Sequence, residues 1–207
     1  MQYKNIWFMG NGNFAALCLE NFLVKQKINF SKIITNLPTR SVRNISPVEI
    51  KARELGQDVI QTGNLNANEN LIYELENNKP DLVFVIDFGQ LIKEPFLSLF
   101  CLNIHPSLLP EYRGAAPINW VLLNGETETG VTSQQMNEGL DTGDILVKQS
   151  TPIGENETYS QLYDRLSVMG AQVLMQTIEA VESGSLKDYR KVMKFIQAVR
   201  NYKGRQN

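Results

Sequence analysis

The chain has 207 residues, of which 43% are hydrophobic and 20% charged, and its formal net charge is -2 at pH 7. This length and apolar content are enough for a single domain with a full-sized core. The small net charge gives no overall electrostatic reason to expect binding to nucleic acid or a membrane surface. No apolar run is long enough for a bilayer span or a secretory leader, so we expect a cytoplasmic protein that binds small molecules.

The cysteines, Cys18 and Cys101, are predicted to be reduced and buried. They lie far apart, in segments typical of a helix and a strand, and they form no CxxC pair. The chain also has a single histidine, His105. Because a zinc site needs several cysteine or histidine ligands, we expect no metal centre.

Along the chain, short β-branched or aromatic runs alternate with segments of helical period, which is typical of an α/β fold with a mostly parallel sheet. Strands are predicted at residues 6–9, 32–35, 82–86, 102–104 and, after Asp144, in the run ILVKQSTPI. Helices are predicted at residues 14–25, 47–56 and 158–183, the second opened by Pro47 and closed by Gly56.

The first turn, GNGNFA at residues 10–15, fits the pattern G-x-G-x-x-A between a strand and a helix. This pattern occurs in dinucleotide-binding folds, which also carry an acidic residue at the end of the second strand. The corresponding run here, IITNLP at residues 33–38, has no carboxylate. A tight turn between strand and helix is therefore favoured over a nucleotide site.

The segment NIHPSLLP, residues 103–110, begins with two candidate functional residues. Asn103 and His105 lie two apart on a predicted strand, so their side chains point to the same side, at the sheet edge where ligands bind. Downstream, Asp141 and Asp144 lie in a Gly-rich loop that could bring a carboxylate to the imidazole. The alternative is structural, with His105 bonded to a loop carbonyl and the other side chains capping turns.

The run NIHPSLLPEYRGAAPINWVLLNGETETGVTSQQMNEGLDTGDIL, residues 103–146, resembles the 10-formyltetrahydrofolate-dependent formyltransferases, and among them most closely the methionyl-tRNA formyltransferases. The similarity extends over about residues 5–186 and includes KPDLVFVIDFGQLI and TYSQLYDRLSVMGAQVL. It implies a catalytic domain at residues 1–186 with a Rossmann-like, mostly parallel sheet and helices on both faces.

The resemblance further implies transfer of a formyl group from 10-formyltetrahydrofolate to a primary amine. Its catalytic residues would be Asn103 and His105, as donors to the developing oxyanion, and Asp141, which would favour the imidazolium and accept a proton. The folate would bind at Phe88, Gly89, Gln90, Leu91, Ile92, Asp141, Thr142 and Gly143. The substrate loop would comprise Gly10, Asn11, Gly12, Ser107, Leu108, Leu109, Pro110, Arg113 and Gly114. This chemistry needs neither a metal nor a covalent nucleophile.

The formyl acceptor stays open, because the chain departs from the methionyl-tRNA formyltransferases in three places. The run LPTRSVRNISP is shorter than their basic Gly-rich insertion, and GNG stands where they usually have Gly-Thr-Pro. Residues 187–207 are expected to form a basic helical tail, with no C-terminal tRNA-binding barrel. If tRNA binds, this tail, Arg40 and Arg43 would contact its phosphates.

Three hypotheses about function follow. In the first, the acceptor is a small amine, either an amino sugar on a nucleotide or glycinamide ribonucleotide. In the second, the acceptor is methionyl-tRNA. In the third, the chain is a non-catalytic folate-binding domain. Water as the acceptor would make the protein a hydrolase.

Overall fold

The computed structural model describes residues 3–38 and 45–185, which form a seven-stranded sheet flanked by helices. The strands are β1 (Ile6–Gly10), β2 (Lys32–Asn36), β3 (Ile60–Thr62), β4 (Leu82–Ile86), β5 (Cys101–His105), β6 (Glu128–Gln135) and β7 (Asp144–Pro152). Their order across the sheet is β3-β2-β1-β4-β5-β6-β7. The first five strands pair in parallel, and β6 pairs antiparallel with both of its neighbours, β5 and β7. The predicted α/β fold with a mostly parallel sheet is confirmed.

The α-helices in the described part of the chain are α1 (Asn13–Glu20), α2 (Pro47–Glu54), α3 (Glu69–Asn77), α4 (Pro117–Leu123) and α5 (Tyr159–Ser183). The helix predicted at residues 14–25 is divided, because α1 continues into a π-helical turn at Asn21–Lys25. The Ser46 hydroxyl accepts a hydrogen bond of 3.0 Å from the first turn of α2. Thr158 and Gln161 form a capping box at the start of α5. These local signals fix where the predicted helices begin.

Alternating side chains of the buried strands build a core on each face of the sheet. On the first face, Phe8 and Phe84 pack with side chains of α1, α2 and α5. On the second face, Trp7 and Val83 pack with side chains of α3. The predicted helices on both faces are therefore confirmed, and the sheet is buried between them.

The two cysteines lie on opposite sides of the sheet. Cys18, in α1, belongs to the first core, and Cys101, in β5, belongs to the second. Both are free thiols and both are fully buried, as the sequence predicts. Burial raises the pKa of the Cys101 thiol to about 12, and it raises that of Cys18 further.

Four elements are absent from the sequence-based prediction: β3, α3, α4 and β6. The most important for the site is β6, whose polar side chains Thr132, Ser133 and Gln134 are all buried. A polar run of this kind resembles an exposed segment until its partners are known.

Several expectations lie outside the described residues, namely those for Arg40, Arg43 and the tail at 187–207. Within residues 3–38 and 45–185, no helix is long and apolar enough to cross a membrane.

Candidate active site

Strand β5 gives Asn103 and His105 a common orientation. Leu102 and Ile104 pack into the first core, so the residues that alternate with them face the other side of the sheet. There both line a cavity of about 620 Å³. The cavity lies at the carboxyl ends of β4 and β5, which is where open α/β sheets bind ligands.

Gln134 links Asn103 to Asp141. Its side-chain amide nitrogen donates to Asn103 Oδ1 at 3.0 Å and to Asp141 Oδ1 at 2.9 Å. Its amide oxygen accepts from the backbone N–H of Gly143 at 3.0 Å. Gln134 reaches Asn103 because β6 pairs with β5 at this register. The Gln134 side chain is thus fully hydrogen-bonded and acts as a fixed connection between the strand and the Asp141 loop.

The Asn103 amide keeps one hydrogen for a ligand. Its nitrogen donates to the backbone carbonyl of Val85 at 3.0 Å, while its oxygen accepts from Gln134. An amide nitrogen carries two hydrogens, so the second is unused by these contacts. Since Asn103 lines the cavity, this second N–H is a fixed donor of constant charge state.

Both ring nitrogens of His105 face acceptors. Nε2 lies 2.7 Å from the backbone carbonyl of Tyr112, which can only accept, so Nε2 carries the hydrogen. Nδ1 lies 3.5 Å from Asp141 Oδ2. A donor role toward a ligand must therefore come from Nδ1, and only when a proton is present there.

Asp141 is held by its carboxylate and by its backbone. Besides the bond from Gln134, its Oδ2 accepts from the backbone N–H of Gly114 at 2.9 Å. The Arg113 guanidinium donates to the Asp141 backbone carbonyl at 2.9 Å. Arg113 thus shapes the loop from outside the cavity, and the Asp141 carboxylate is anchored on both oxygens.

The segment 88–92 forms one wall of the cavity and is fixed from behind. Asn36 donates to the Phe88 carbonyl at 2.6 Å, and Gln90 donates to the Asn36 side-chain oxygen at 2.6 Å. Gln90 also accepts from the backbone N–H of Leu65 at 2.8 Å. Because these contacts occupy the Gln90 amide, the segment offers a ligand its backbone and apolar side chains.

Residues 136–143 form the opposite wall. The Asn137 side-chain oxygen accepts from the Thr142 hydroxyl at 2.8 Å and from the backbone N–H of Gly139 at 3.0 Å. Thr142 is therefore bonded within its own loop and does not line the cavity. A Cβ atom on Gly143 would lie 1.9 Å from the Gln135 carbonyl oxygen, so only glycine permits this close approach.

The loop after β5 serves mainly to hold the site together. The Thr132 hydroxyl donates to the Ser107 carbonyl at 2.7 Å and accepts from the backbone N–H of Leu109 at 3.1 Å. Ser107 and Leu109 are buried. The Leu108 side chain packs against Gly130. A Cβ atom on Gly130 would lie 2.6 Å from Leu108 Cδ2.

The GNG turn lies beside the cavity. The backbone N–H groups of Asn11 and Gly12 donate to the Asp87 carbonyl at 3.1 and 3.3 Å. The Asn11 side chain accepts from Thr35 at 3.1 Å. This turn ties β1 to β2 and to the end of β4. Asp87 also places a carboxylate beside the turn, which disfavours a phosphate there.

The cavity thus brings together only part of the residues suggested by the sequence. Those that line it are Phe88, Gly89, Gln90, Leu91, Ile92, Asn103, His105, Gly114, Asp141 and Gly143. Those outside its lining are Gly10, Asn11, Gly12, Ser107, Leu108, Leu109, Pro110, Arg113 and Thr142. Asp144, the alternative carboxylate, begins β7 and is also outside the lining.

Further residues that contribute to the site were not identified from the sequence, among them Gln134, Asp87, Tyr159 and Tyr163. Asp87 could have been identified from the sequence, since a carboxylate directly after a buried strand lies at the ligand-binding edge of the sheet. Tyr159 and Tyr163 could not have been identified in this way, because only the tertiary fold brings α5 to the cavity.

Backbone strain accumulates around the cavity. Among non-glycine residues of the described chain, positive φ angles occur at Lys27 and at four positions of this site: Asp87 (46°), Tyr112 (58°), Ala116 (56°) and Asp141 (49°). Such conformations persist where surrounding contacts enforce them, and they cluster at functional sites. The arrangement therefore has the character of a preorganised site.

The site can donate hydrogen bonds to an oxygen at Asn103, exchange a proton through His105 and Asp141, and bury a planar ligand between two loops. Among the described residues, no group of three potential metal ligands occurs.

Comparisons with known proteins agree on one family. The Formyl transferase family model matches residues 4–178. Methionyl-tRNA formyltransferases of Geobacter metallireducens and Alkaliphilus oremlandii are 41% and 42% identical over 189 and 188 residues. These matches cover 88% and 87% of this chain and 60% of each relative. The chain therefore spans less than two thirds of the length of these relatives.

Solved structures share the fold. A phosphoribosylglycinamide formyltransferase from Bacillus halodurans has a TM-score of 0.69 at 21% identity, covering 88% of this chain and 97% of the other. An N-formyltransferase from Helicobacter canadensis, in complex with folinic acid and dTDP-3-aminofucose, has a TM-score of 0.64 at 25% identity, covering 88% and 65%. The Bacillus halodurans protein is similar in fold alone.

Proposed function

The chain belongs to the formyl transferase family, and on that basis we propose that it transfers a formyl group from 10-formyltetrahydrofolate to a primary amine. Methionyl-tRNA is the first candidate acceptor, because the relatives of about 40% identity carry the name methionyl-tRNA formyltransferase. The catalytic domain would correspond to residues 1–186.

One observation carries the proposal: Asn103, Gln134, Asp141 and His105 form a connected set on the wall of a single cavity. Formyl transfer to an amine develops negative charge on the formyl oxygen and requires a proton to leave the attacking nitrogen. A fixed amide donor beside a histidine–carboxylate pair supports both requirements.

Each residue of this set has a separate task in the proposed reaction. The unused N–H of Asn103 would donate to the formyl oxygen as its charge develops, and losing one such donor costs about 2.7 to 4 kcal/mol. A proton on His105 Nδ1, which lies 3.5 Å from Asp141 Oδ2, would add a second donor. Gln134 would hold the side chains of Asn103 and Asp141 in fixed positions relative to each other.

The cavity fits a folate in size and lining. Its volume of about 620 Å³ is within the usual range for small-molecule sites. Val85, Ile92 and Met136 give it apolar walls, and segments 88–92 and 136–143 face each other across it. We propose that the pterin end binds between these two segments. When bound, the folate supplies the formyl group, while the chain orients it and stabilises charge.

A nucleotide-linked amino sugar is the second candidate acceptor. The observation that favours it is the Helicobacter canadensis N-formyltransferase, whose structure includes dTDP-3-aminofucose and aligns with 88% of this chain. Phe14, Tyr159 and Tyr163 line the cavity, and aromatic rings can stack on a nucleotide base. The same rings would also accept the terminal base of a tRNA.

An acceptor screen tests the proposal. The protein is incubated with 10-formyltetrahydrofolate and methionyl-tRNA, a dTDP-linked amino sugar or glycinamide ribonucleotide, and with no acceptor. Tetrahydrofolate release is followed by absorbance, and the formylated product is detected by mass spectrometry. We expect release that depends on one acceptor and a product heavier by one formyl group. Release without an acceptor would instead indicate a hydrolase, and absence of turnover with binding of folate would indicate a binding domain.

A further inference from the structure

We propose that Asp87 binds the amine of the acceptor and removes its excess proton before attack. This inference rests on the proposed formyl transfer and adds to it a residue outside the Asn103, His105 and Asp141 set. Asp87 follows β4 directly and lines the same cavity as those residues. In the register of the sheet, Val85 pairs with Asn103, so Asp87 lies at the level of His105 on the neighbouring strand.

The GNG turn makes space for the Asp87 carboxylate. A Cβ atom on Gly12 would lie 1.9 Å from Asp87 Oδ2 and 2.8 Å from its Cγ. Any other residue at position 12 would therefore displace the carboxylate from its present position. The backbone of Asp87 is fixed by the same turn, through bonds from Asn11 and Gly12. The turn thus leaves room for the carboxylate and fixes the backbone that carries it.

Asp87 has no compensating charge among residues 3–38 and 45–185. No Lys, Arg or His side chain there forms an ion pair with it. Removal of part of its water by the surrounding protein raises the pKa of this carboxyl above its usual range. The N-terminus of α1, which begins beside Gly12, favours negative charge. A cation that enters the cavity would satisfy this carboxylate.

Asp141 is less suited to this task. Its oxygens already accept from Gln134 and Gly114, and Oδ2 faces His105. Both oxygens are therefore already engaged by fixed donors and are less available to an ammonium group. By contrast, no hydrogen bond from residues 3–38 or 45–185 reaches the Asp87 carboxylate, and burial raises the pKa of this group. The two carboxylates are therefore suited to different tasks.

The surroundings of Asp87 indicate from which side the acceptor approaches. Tyr159 and Tyr163 line the catalytic cavity and also a second cavity of about 530 Å³ between α1, α2 and α5. Burial raises the pKa of both tyrosines, and the negative charge of Asp87 adds to this effect. An acceptor lying along the second cavity would pass these rings and present its amine to Asp87.

An alkylammonium gives one proton to Asp87, which leaves a neutral amine with a free electron pair. A bond forms between this nitrogen and the formyl carbon, and the bond from that carbon to N10 of the folate breaks. A second proton from the attacking nitrogen replaces the formyl group on N10. The proton on Asp87 then passes to water, which restores the carboxylate.

The test compares Asp87→Asn with Asp58→Asn in the full chain. Asn is similar in size to Asp and tolerates positive φ, so the variant retains the local fold. Asp58 is exposed, lies between α2 and β3, and is outside the cavity lining.

We expect Asp87→Asn to lower kcat/KM for the acceptor by about 10- to 100-fold, as for loss of a charge-assisted contact. The affinity for a stable formylfolate analogue, measured by calorimetry, should not change, and Asp58→Asn should behave as wild type. Unchanged kcat/KM in Asp87→Asn would overturn the inference.

A binding experiment separates this inference from the proposed function. Methionine amide and N-acetylmethionine amide are titrated into the analogue-bound protein, since only the first carries an ammonium group. Wild type should bind the ammonium form more tightly, and Asp87→Asn should not discriminate. Equal affinity of wild type for the two amides would overturn the role of Asp87. A preference for the ammonium form without turnover of any acceptor would refute the proposed transfer while retaining the amine site.

Discussion

The side-chain nitrogen of Gln134 lies 2.9 Å from Asp141 Oδ1, so a residue of the sheet directly holds the carboxylate of a loop. The same nitrogen donates to Asn103 on the neighbouring strand. The relative position of the proposed oxyanion donor and the proposed carboxylate therefore depends on one buried amide. A site assembled in this way is sensitive to a change that leaves both functional side chains in place.

Gln134→Glu should lower kcat by about 100-fold, a loss comparable to that of one positioned donor. The substitution keeps an oxygen for the Gly143 N–H but replaces both amide donors, so Asn103 and Asp141 would face another acceptor. Steady-state kinetics with the identified acceptor measures the effect. Gln135→Glu, on the adjacent residue of β6, is the matched control. Wild-type kcat in folded Gln134→Glu would mean that this amide only fills space.

Asn103→Ala should lower kcat by about two to three orders of magnitude at every pH, because the amide donor has no titration of its own. Calorimetry should show that affinity for a formylfolate analogue persists, since the folate walls are formed by other segments. Asn77→Ala, on the exposed end of α3, provides the control. A loss confined to one pH range would contradict the role of a fixed neutral donor.

Gly143→Ala should destabilise the fold by roughly 1 to 3 kcal/mol, the usual cost of an overpacked position. The new methyl group would lie 1.9 Å from the backbone oxygen of Gln135, which cannot rotate away as a side chain can. Urea unfolding measures the difference. Gly63→Ala is the comparison, because its methyl group would meet only Leu37 Cδ1 at 3.4 Å. Equal midpoints for the two variants would show that the 136–143 loop adjusts freely.

Glu157→Gln should destabilise the protein at neutral pH, and the difference should fade in acid. Hydrogen bonds from Arg165 at 2.9 and 2.8 Å hold the pKa of Glu157 below its usual range. A lowered folded-state pKa contributes stability above the unfolded-state value of about 4.3, and this contribution disappears as pH falls through the folded-state value. Unfolding experiments at pH 7 and in acid test this. A constant difference at both pH values would exclude the ionised pair as its cause.

The sequence was informative about the fold wherever a local pattern decided the outcome. Apolar runs located β1, β2 and β4, and the two-residue period placed Asn103 and His105 on one side of β5. These features depend on neighbours within a few residues. Pro47 and Thr158 likewise marked the starts of helices through contacts in the first turn.

The rest depended on contacts between distant segments. Thr132, Ser133 and Gln134 are buried because they bond with Ser107, Thr177 and Asn103, which lie in the loop after β5, in α5 and in β5. Without those partners, a polar run is best explained as a surface segment. The Gln90 side chain in the 88–92 segment could not be placed from the sequence for the same reason, because its hydrogen-bond partners are Asn36 and Leu65.

The placement of one cysteine on each side of the sheet gives the chain a natural pair of reporters for partial unfolding. A thiol must reach solvent and ionise before it reacts with an alkylating reagent, so each labelling rate measures the opening of the layer above it. Labelling of Cys18 would follow exposure of the α1 and α5 layer, and labelling of Cys101 would follow exposure of the α3 layer. Equal rates would indicate one cooperative opening, while a faster Cys101 would identify the side that carries the folate walls as the less stable half of the molecule.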